Sequence, residues 1–300
     1  MNALKQALPS GRSAQGFQQF PTLADASRFP CSGNGIQSQG DLSCRCYDCW
    51  TGDDCSTQED IHTCTVDVES GSPLLFEDYW ISHPEAEVRV QASYHEGYGT
   101  QLPQLERAIR AIHAQVGNAV TDGRSIVIGM GSSQILNAAF FALSNASRSP
   151  DVNITKVCSE APYYNAYKAT SQYYGSMAFE WSETTDLEAS PDSPVIQVMT
   201  APNNPDGTMR NKTVSGAYGV YDHAYYWPHY TPISQALEYD DRDVAVFTLS
   251  KLTGHAGSRI GWAIVKDLDV AQLMMDHVSN SGGDLKVGSA VHPGFGTGSV

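Results

Sequence analysis

Short apolar runs recur through the middle of the chain. They are rich in β-branched residues, which is typical of strands buried in a sheet. On this basis we predict six strands, at Ser125–Gly129, Ile154–Cys158, Val195–Met199, Tyr218–Tyr221, Val244–Phe247 and Ile260–Val265.

Helical periodicity appears between these runs. Within Leu102–Gly117, the residues Leu105, Ile109 and Ile112 recur at the spacing of one helix face. Helices are also predicted over 131–143 and 162–174. Apolar strands that alternate with helices are typical of a parallel, doubly wound α/β sheet. Because such sheets bind ligands at the carboxyl ends of their strands, the polar motifs there are the candidate site.

Five motifs follow predicted strands. They are GMGSSQ (129–134), APYYNAY (161–167), APNNPDG (201–207), YDHAY (221–225) and the loop that contains SKLTGHAGSR (250–259). Each is weak evidence alone, because glycine turns, packed rings, proline turns and capping aspartates are common. Together they offer a helix N-terminus for a phosphate, a flat ring for stacking, an acid and a lysine.

The last motif holds two informative cations. Lys251 follows a buried strand, where poor solvation makes its neutral amine more accessible, so that it can attack a carbonyl. Arg259 lies in the same predicted loop, among glycines and hydroxyl residues, and a guanidinium there suits a phosphate. Pyridoxal phosphate (PLP) needs this combination of lysine, acid, hydrogen-bond donors, stacking ring and phosphate site.

Charge narrows the range of partners. The 300 residues carry a net charge of −15, and their hydrophobic content of 41% suffices for a core. Such acidity argues against nucleic acid and against an anionic membrane surface. No apolar run reaches the length of about 18 residues that a transmembrane helix needs.

Six of the seven cysteines lie between Cys31 and Cys64, in a segment poor in large apolar residues. A dense, even set indicates disulfides in an oxidising compartment or a zinc site. Cys46 and Cys49 have zinc-like spacing, but the second pair of a zinc site is missing, so disulfides are favoured and no metal is expected.

The predicted location rests on these cysteines and on three sequons. Asn145, Asn153 and Asn211 fit a glycoprotein of the secretory pathway, vacuolar or extracellular, although such triplets also arise by chance. The N-terminal residues lack the apolar region of a signal peptide. We expect an incomplete or misassigned N-terminus to explain this conflict.

Four stretches resemble the alliinase (alliin lyase) and tryptophan aminotransferase-related family of PLP enzymes. They are ESGSPLLFEDYW (69–80), TAPNNPDG (200–207), YDHAYYWPHYTP (221–232) and FTLSKLTGHAGSRIGWA (247–263). The cysteine segment resembles the EGF-like module that precedes the catalytic domain in alliinases. The resemblance covers about residues 31–280 and implies a type I aminotransferase fold, PLP as cofactor, an amino-acid substrate and a homodimer.

The resemblance implies roles for individual residues. Lys251 resembles the Schiff-base lysine that also moves the α-proton, and Asp222 resembles the partner of the pyridine nitrogen. Tyr225 and Asn204 resemble the donors to the 3-oxygen, and Tyr164 resembles the ring stacker. The residues that resemble the phosphate shell are Gly131, Ser132, Thr248 or Ser250, and Arg259.

The resemblance also implies roles for further residues and for the cysteines. Tyr94 resembles the tyrosine that reaches the phosphate of the neighbouring subunit, and Ser70 and Gly71 resemble a loop over the substrate. His223, Trp227 and His229 lie in the signature and are interpreted as packing residues. The implied disulfides are Cys31–Cys44, Cys46–Cys55 and Cys49–Cys64, while Cys158, which ends a buried strand, is expected to stay a free thiol.

Three functions remain open. The cysteine module favours a carbon–sulfur lyase that expels a β-sulfur substituent from S-substituted cysteines. The alternative is an aminotransferase of tryptophan or other aromatic amino acids. The third possibility is a truncated, non-catalytic remnant whose cysteine module makes contacts.

The predicted organisation has four parts. We expect an arm over 1–30, the EGF-like module over 31–64, the PLP-binding domain over 65–280 and a glycine-rich tail over 281–300. Members of the family continue into a small domain with an arginine for the substrate carboxylate. Lys286 is the only lysine or arginine in the tail, so we expect a fragment, a mis-spliced chain or a degenerate protein.

Overall fold

The computed structural model describes residues 30–38, 40–47, 49–60, 103–146, 154–174 and 178–281. Several predicted features lie outside these residues. They are the arm over 1–29, Cys64, Ser70, Gly71, Tyr94, Asn153 and the tail from 282, including Lys286.

The cysteine segment forms two small antiparallel ribbons. Strand β1 (Gly35–Gln37) pairs with β2 (Cys44–Cys46), and β3 (Trp50–Thr51) pairs with β4 (Thr57–Gln58).

Disulfides hold these ribbons together. The predicted bonds Cys31–Cys44 and Cys46–Cys55 are present, which confirms the disulfide interpretation over zinc. Cys49 is also disulfide-bonded, but its partner lies outside the described residues, so the pair Cys49–Cys64 stays a prediction. Disulfides stabilise a segment of this kind, which is too small to build an apolar core.

Seven strands form one sheet in the rest of the described chain. Besides β5 (Ser125–Met130) and β6 (Thr155–Cys158), they are β7 (Phe179–Trp181), β8 (Val195–Thr200), β9 (Tyr218–Asp222), β10 (Val244–Thr248) and β11 (Ile260–Val265). Their order is β5-β11-β10-β9-β8-β6-β7, and only β11 is antiparallel to its neighbours. The predicted, mostly parallel sheet is therefore confirmed.

Five α-helices accompany the sheet in the described residues. They are α1 (Pro103–Val116), α2 (Gly131–Ala146), α3 (Ala166–Tyr174), α4 (Leu249–Thr253) and α5 (Leu268–Asn280). None of the helices in the described part of the chain combines the length and apolarity needed to cross a bilayer.

Both faces of the sheet are covered. In β10, Val244 and Val246 pack on one side with α2 and α5, while Ala245 and Phe247 pack on the other side in a cluster that includes Ile109 of α1. Alternate residues of a strand point to opposite faces, so a strand buried on both sides has to be apolar throughout. This explains why β10 appears in the sequence as one apolar run.

Two predicted elements differ in the structure. Helix α3 begins at Ala166 instead of Pro162, and residues 161–165 form a turn above the strand end. Lys251, predicted in a loop, lies in the short helix α4, which Thr248 caps through its side chain and Gly254 ends at a φ of 83°. Strand β7 and helix α5 were not predicted.

Candidate functional site

The strand topology brings the polar motifs to one edge of the sheet. Strands β5, β8, β9 and β10 are mutually parallel in direction and end at that edge. The antiparallel β11 begins there, because Ile260 pairs with Met130 at the end of β5. The residue before β11, Arg259, therefore lies at the same edge as residues that follow the other strands. Such carboxyl edges are where doubly wound sheets bind ligands.

Asp222, the last residue of β9, is the buried acid of this edge. Its side chain accepts hydrogen bonds from the Tyr167 hydroxyl at 2.7 Å and from the backbone N–H of Ala224 at 3.1 Å. Burial raises the pKa of Asp222, and the bond from Tyr167 and the charge of Lys251 offset part of that rise. The residue is 3% exposed, so a carboxylate here is held by donors and not by solvent.

Tyr167 links Asp222 to the neighbouring strand. Its hydroxyl lies 2.6 Å from Oγ1 of Thr200, at the end of β8. Because the single phenolic proton goes to the carboxylate, Thr200 donates to the Tyr167 oxygen. Burial, followed by the negative charge of Asp222, raises the pKa of Tyr167 well above its ordinary value, so the phenol stays protonated as a donor.

Lys251 lies beside this acid. Burial lowers the pKa of its amine, and Asp222 offsets part of the effect, so each charge is within electrostatic reach of the other. The amine nitrogen lies 5.6 Å from the centre of the Tyr225 ring. Tyr225 in turn accepts a hydrogen bond from Nδ2 of Asn204 at 3.1 Å. Three separate motifs thus contribute to one site, through the predicted residues Lys251, Asp222, Tyr225 and Asn204.

Two loops that border the site are joined by Arg210. Its Nη1 donates to the carbonyl oxygens of Glu160 at 2.5 Å and Pro162 at 2.9 Å. These carbonyls precede Tyr164, whose side chain is 54% exposed and whose ring meets that of Tyr167 edge-on at 5.6 Å. An exposed ring above Tyr167 is available for stacking.

The other part of the edge is a cradle for an anion. Gly131, at a φ of 74°, begins the 16-residue helix α2, and a Cβ added to it would come within 2.4 Å of Nη2 of Arg259. A Cβ on Gly261 would likewise come within 2.4 Å of the backbone nitrogen of Ser132. The glycines therefore let a guanidinium and helix N–H groups approach each other, which is the chemistry that binds phosphate.

The hydroxyl residues of the cradle differ in their arrangement. Thr248 is buried, and its Oγ1 accepts from the backbone N–H of Ser250 at 3.2 Å. Ser132 and Ser250 are partly exposed, and Arg259 is exposed, with Nη1 donating to the carbonyl of Ala256 at 3.2 Å.

The donor set fits PLP group by group. The buried carboxylate suits the pyridine nitrogen, the Tyr225–Asn204 pair suits the 3-oxygen, the glycine cradle with Arg259 suits the phosphate, and Lys251 suits the aldehyde. Tyr94, Ser70 and Gly71 lie outside the described residues, so their roles stay predictions.

Sequence reasoning missed three residues that organise the site, namely Tyr167, Thr200 and Arg210. Tyr167 lies within APYYNAY, one helical turn after Tyr164, and Thr200 directly follows an apolar strand. Position at a strand end was therefore a usable signal for Thr200, and the spacing to Tyr164 was a usable signal for Tyr167. Arg210 gave no signal, because its partners are backbone carbonyls of a loop that is distant in the sequence.

Comparison with known proteins finds similar sequences and a similar fold. A family model described as "Allinase" matches residues 66–288. The chain is similar to alliin lyase 1 of Allium sativum, with 36% identity over 83% of this chain and 52% of that protein. It is similar to tryptophan aminotransferase-related protein 3 of Arabidopsis thaliana, with 40% identity over 85% of this chain and 59% of that protein.

A solved structure gives the fold. The aspartate aminotransferase of Rhizobium meliloti superposes with a TM-score of 0.50 at 18% identity, over 73% of this chain and 59% of that chain. The predicted aminotransferase-type fold is confirmed. The chain spans between 52% and 59% of the length of the two curated relatives.

Proposed function

The chain belongs to the allinase family, and on that premise we propose that it is a PLP-dependent enzyme that acts on amino acids. The observation that carries the proposal is the buried Asp222 carboxylate, fixed by Tyr167 and within electrostatic reach of the amine of Lys251. An acid and an amine paired in this way at the carboxyl edge of the sheet are what the cofactor requires.

PLP, when bound, supplies an aldehyde that condenses with amines and a pyridine ring that withdraws electrons from the α-carbon of an amino acid. Asp222 holds a proton at the pyridine nitrogen, because a carboxylate in direct contact favours the charged ring. Asn204 and Tyr225 donate to the 3-oxygen and thereby orient the ring. Gly131, Ser132, Ser250 and Arg259 bind the phosphate.

Lys251 has two roles in this proposal. The lowered pKa of its amine makes more of the neutral form present near neutral pH, and only the neutral form attacks an aldehyde. The same neutral amine would accept the α-proton of a bound amino-acid substrate. Tyr164 covers the ring face, which limits the access of water.

The reaction proposed is carbon–sulfur lysis of S-substituted cysteines. It is supported by the family match, by the 36% identity to alliin lyase 1, and by the resemblance of the disulfide-bonded segment to the EGF-like module of alliinases. Transamination of an aromatic amino acid is the second candidate, favoured by the 40% identity to a tryptophan aminotransferase-related protein. We also propose a location in the secretory pathway, since disulfides persist in oxidising compartments. The homodimer that the family resemblance implies is part of the same proposal.

One experiment separates these outcomes. The protein is incubated with PLP and an S-alkylcysteine sulfoxide, or with PLP, tryptophan and pyruvate. Pyruvate formed in the first mixture supports the lyase, and indolepyruvate formed in the second supports the aminotransferase. Lys251→Ala should abolish either product, while Lys266→Ala, which removes a surface ion pair with Asp241, should not. Reductive labelling of a lysine other than Lys251 would overturn the assignment.

A further inference from the structure

The disulfide module contacts the part of the chain that carries the proposed lysine. Tyr47, between β2 and β3, meets the ring of His229 edge-on, with ring centres 6.1 Å apart. Cys49 packs in the same apolar cluster as Tyr225, Trp227 and Tyr230. Tyr47 is half-buried although it belongs to a small module, and this burial raises the pKa of its hydroxyl to about 12.

His229 continues this contact to Lys251. Its Nε2 lies 2.9 Å from the backbone carbonyl oxygen of Lys251. A carbonyl only accepts, so Nε2 carries the proton and donates. Burial lowers the pKa of His229 to about 4, and the ring is therefore neutral at physiological pH, with its proton on Nε2.

The carbonyl that His229 binds belongs to a helix of only five residues. Helix α4 is a single short element, Leu249–Thr253, and the last carbonyls of any helix lack partners within the helix. The side chain of Lys251 points from this turn toward Asp222, whose charge offsets part of the burial that lowers the pKa of the amine, and toward the Tyr225 ring. A change in the turn therefore moves the amine relative to both.

We propose that Tyr47 and His229 are positioning residues for Lys251, so that the disulfide module forms part of the lysine site instead of an independent appendage. This inference rests on the proposed function, since it assigns an additional element to the same site. The chain of contacts runs from the Tyr47 ring to the His229 ring, and from its Nε2–H to the Lys251 carbonyl.

Two substitutions of His229 separate its hydrogen bond from its ring contact. His229→Phe keeps a ring against Tyr47 and removes the donor, whereas His229→Gln keeps a donor and removes the ring. In the PLP-free protein, the rate of acetylation of Lys251 is measured by mass spectrometry as a function of pH. The midpoint reports the ionisation of the amine without any need for enzyme activity.

His229→Phe should loosen the turn and expose the amine, so the midpoint moves up, toward that of an ordinary lysine. The expected change in the acid dissociation constant is about fivefold, the equivalent of one buried hydrogen bond. His229→Gln should restore most of the parent value. Tyr47→Ala should move the midpoint in the same direction as His229→Phe, and it serves as the second test if a His229 variant fails to fold.

The matched control is Leu42→Asn, on the exposed side of the same module, where Leu42 is 66% exposed and has a φ of 60°. It should leave the Lys251 midpoint unchanged. Unchanged midpoints in both His229→Phe and Tyr47→Ala would overturn the positioning role. Failure of the parent to bind PLP would overturn the proposed function alone, because the acetylation measurement is independent of the cofactor.

Discussion

The two halves of the candidate site are built differently. In the half proposed to hold the pyridine ring of PLP, Asp222, Tyr167 and Thr200 are buried, and the Tyr167 hydroxyl is hydrogen-bonded to both of the others. In the half proposed to hold the phosphate, Arg259 is exposed, and among the described residues its guanidinium donates a hydrogen bond to the Ala256 carbonyl. The first half satisfies its polar groups within the fold, whereas the proposed function assigns the second half to the binding of a phosphate.

The difference follows from the cost of burying polar groups. A buried carboxylate needs hydrogen-bond donors, because burying a charged group without partners costs more free energy than a hydrogen bond contributes to stability. A guanidinium at the surface keeps its water and needs no such partner. Substitutions in the ring-facing half should therefore alter the chemistry, while substitutions in the phosphate-facing half should alter cofactor affinity.

Asp222→Asn should give the largest effect. Loss of the carboxylate removes the charge that keeps the pyridine nitrogen protonated, and the expected cost is about 100-fold or more in rate. Exchange of the α-proton of a bound amino acid, followed by NMR in heavy water, measures this step for lyase and aminotransferase alike. A variant rate close to the parent rate would show that Asp222 is not the ring partner.

The control for this substitution is Asp243→Asn. Asp243 is also a buried aspartate with a raised pKa, but it binds Lys212 and the N–H of Gly219, away from the site edge. It should leave α-proton exchange unchanged.

Stability in the PLP-free protein gives an independent check. Burial raises the pKa of Asp222, so the folded state loses stability as the pH rises and this carboxyl ionises. Asp222→Asn removes that ionisation and should therefore not destabilise the protein at pH 7.

Arg259→Met should have an intermediate effect that is confined to affinity. A hydrogen bond to a charged group corresponds to a loss of about ten- to a hundredfold in PLP binding. The α-proton exchange of the saturated variant should stay close to that of the parent. Arg242→Met is the matched control, because Arg242 is half exposed and pairs with Asp267 and the Tyr218 ring instead. Equal PLP affinities for the two variants would show that Arg259 does not bind the phosphate.

Tyr167→Phe should give the smallest effect. Removing one buried hydrogen bond to Asp222 is expected to slow α-proton exchange about fivefold. Because the Tyr167 bond lowers the pKa of Asp222, its loss raises that pKa, and the acid side of the pH–rate profile should move to higher pH. Tyr226→Phe, whose hydroxyl donates to the Gln235 carbonyl at 3.1 Å, is the control. If the pH–rate profile of Tyr167→Phe does not move, the Tyr167 hydroxyl does not affect the pKa of Asp222.

Much of the fold could be predicted from local pattern. Strands such as β10 are buried on both faces, so they appear as apolar runs whose bounds differ from the predicted ones by a single residue. Strand β7 has three residues at the end of the sheet, and its sequence, FEW, has no such run. Helix α5 depends on its cap, Asp267, which accepts from the N–H groups of Asp269 and Val270.

Residue types and their order along the chain were enough to predict the lysine, the acid and the phosphate motifs of the site, because each follows an apolar strand. The partners of those residues depended on the folded chain. Tyr167 reaches Asp222 across 55 positions, and His229 reaches the Lys251 carbonyl across 22. Local propensity carries no information about such pairs, since they form only when strand order and helix packing have set which ends lie side by side.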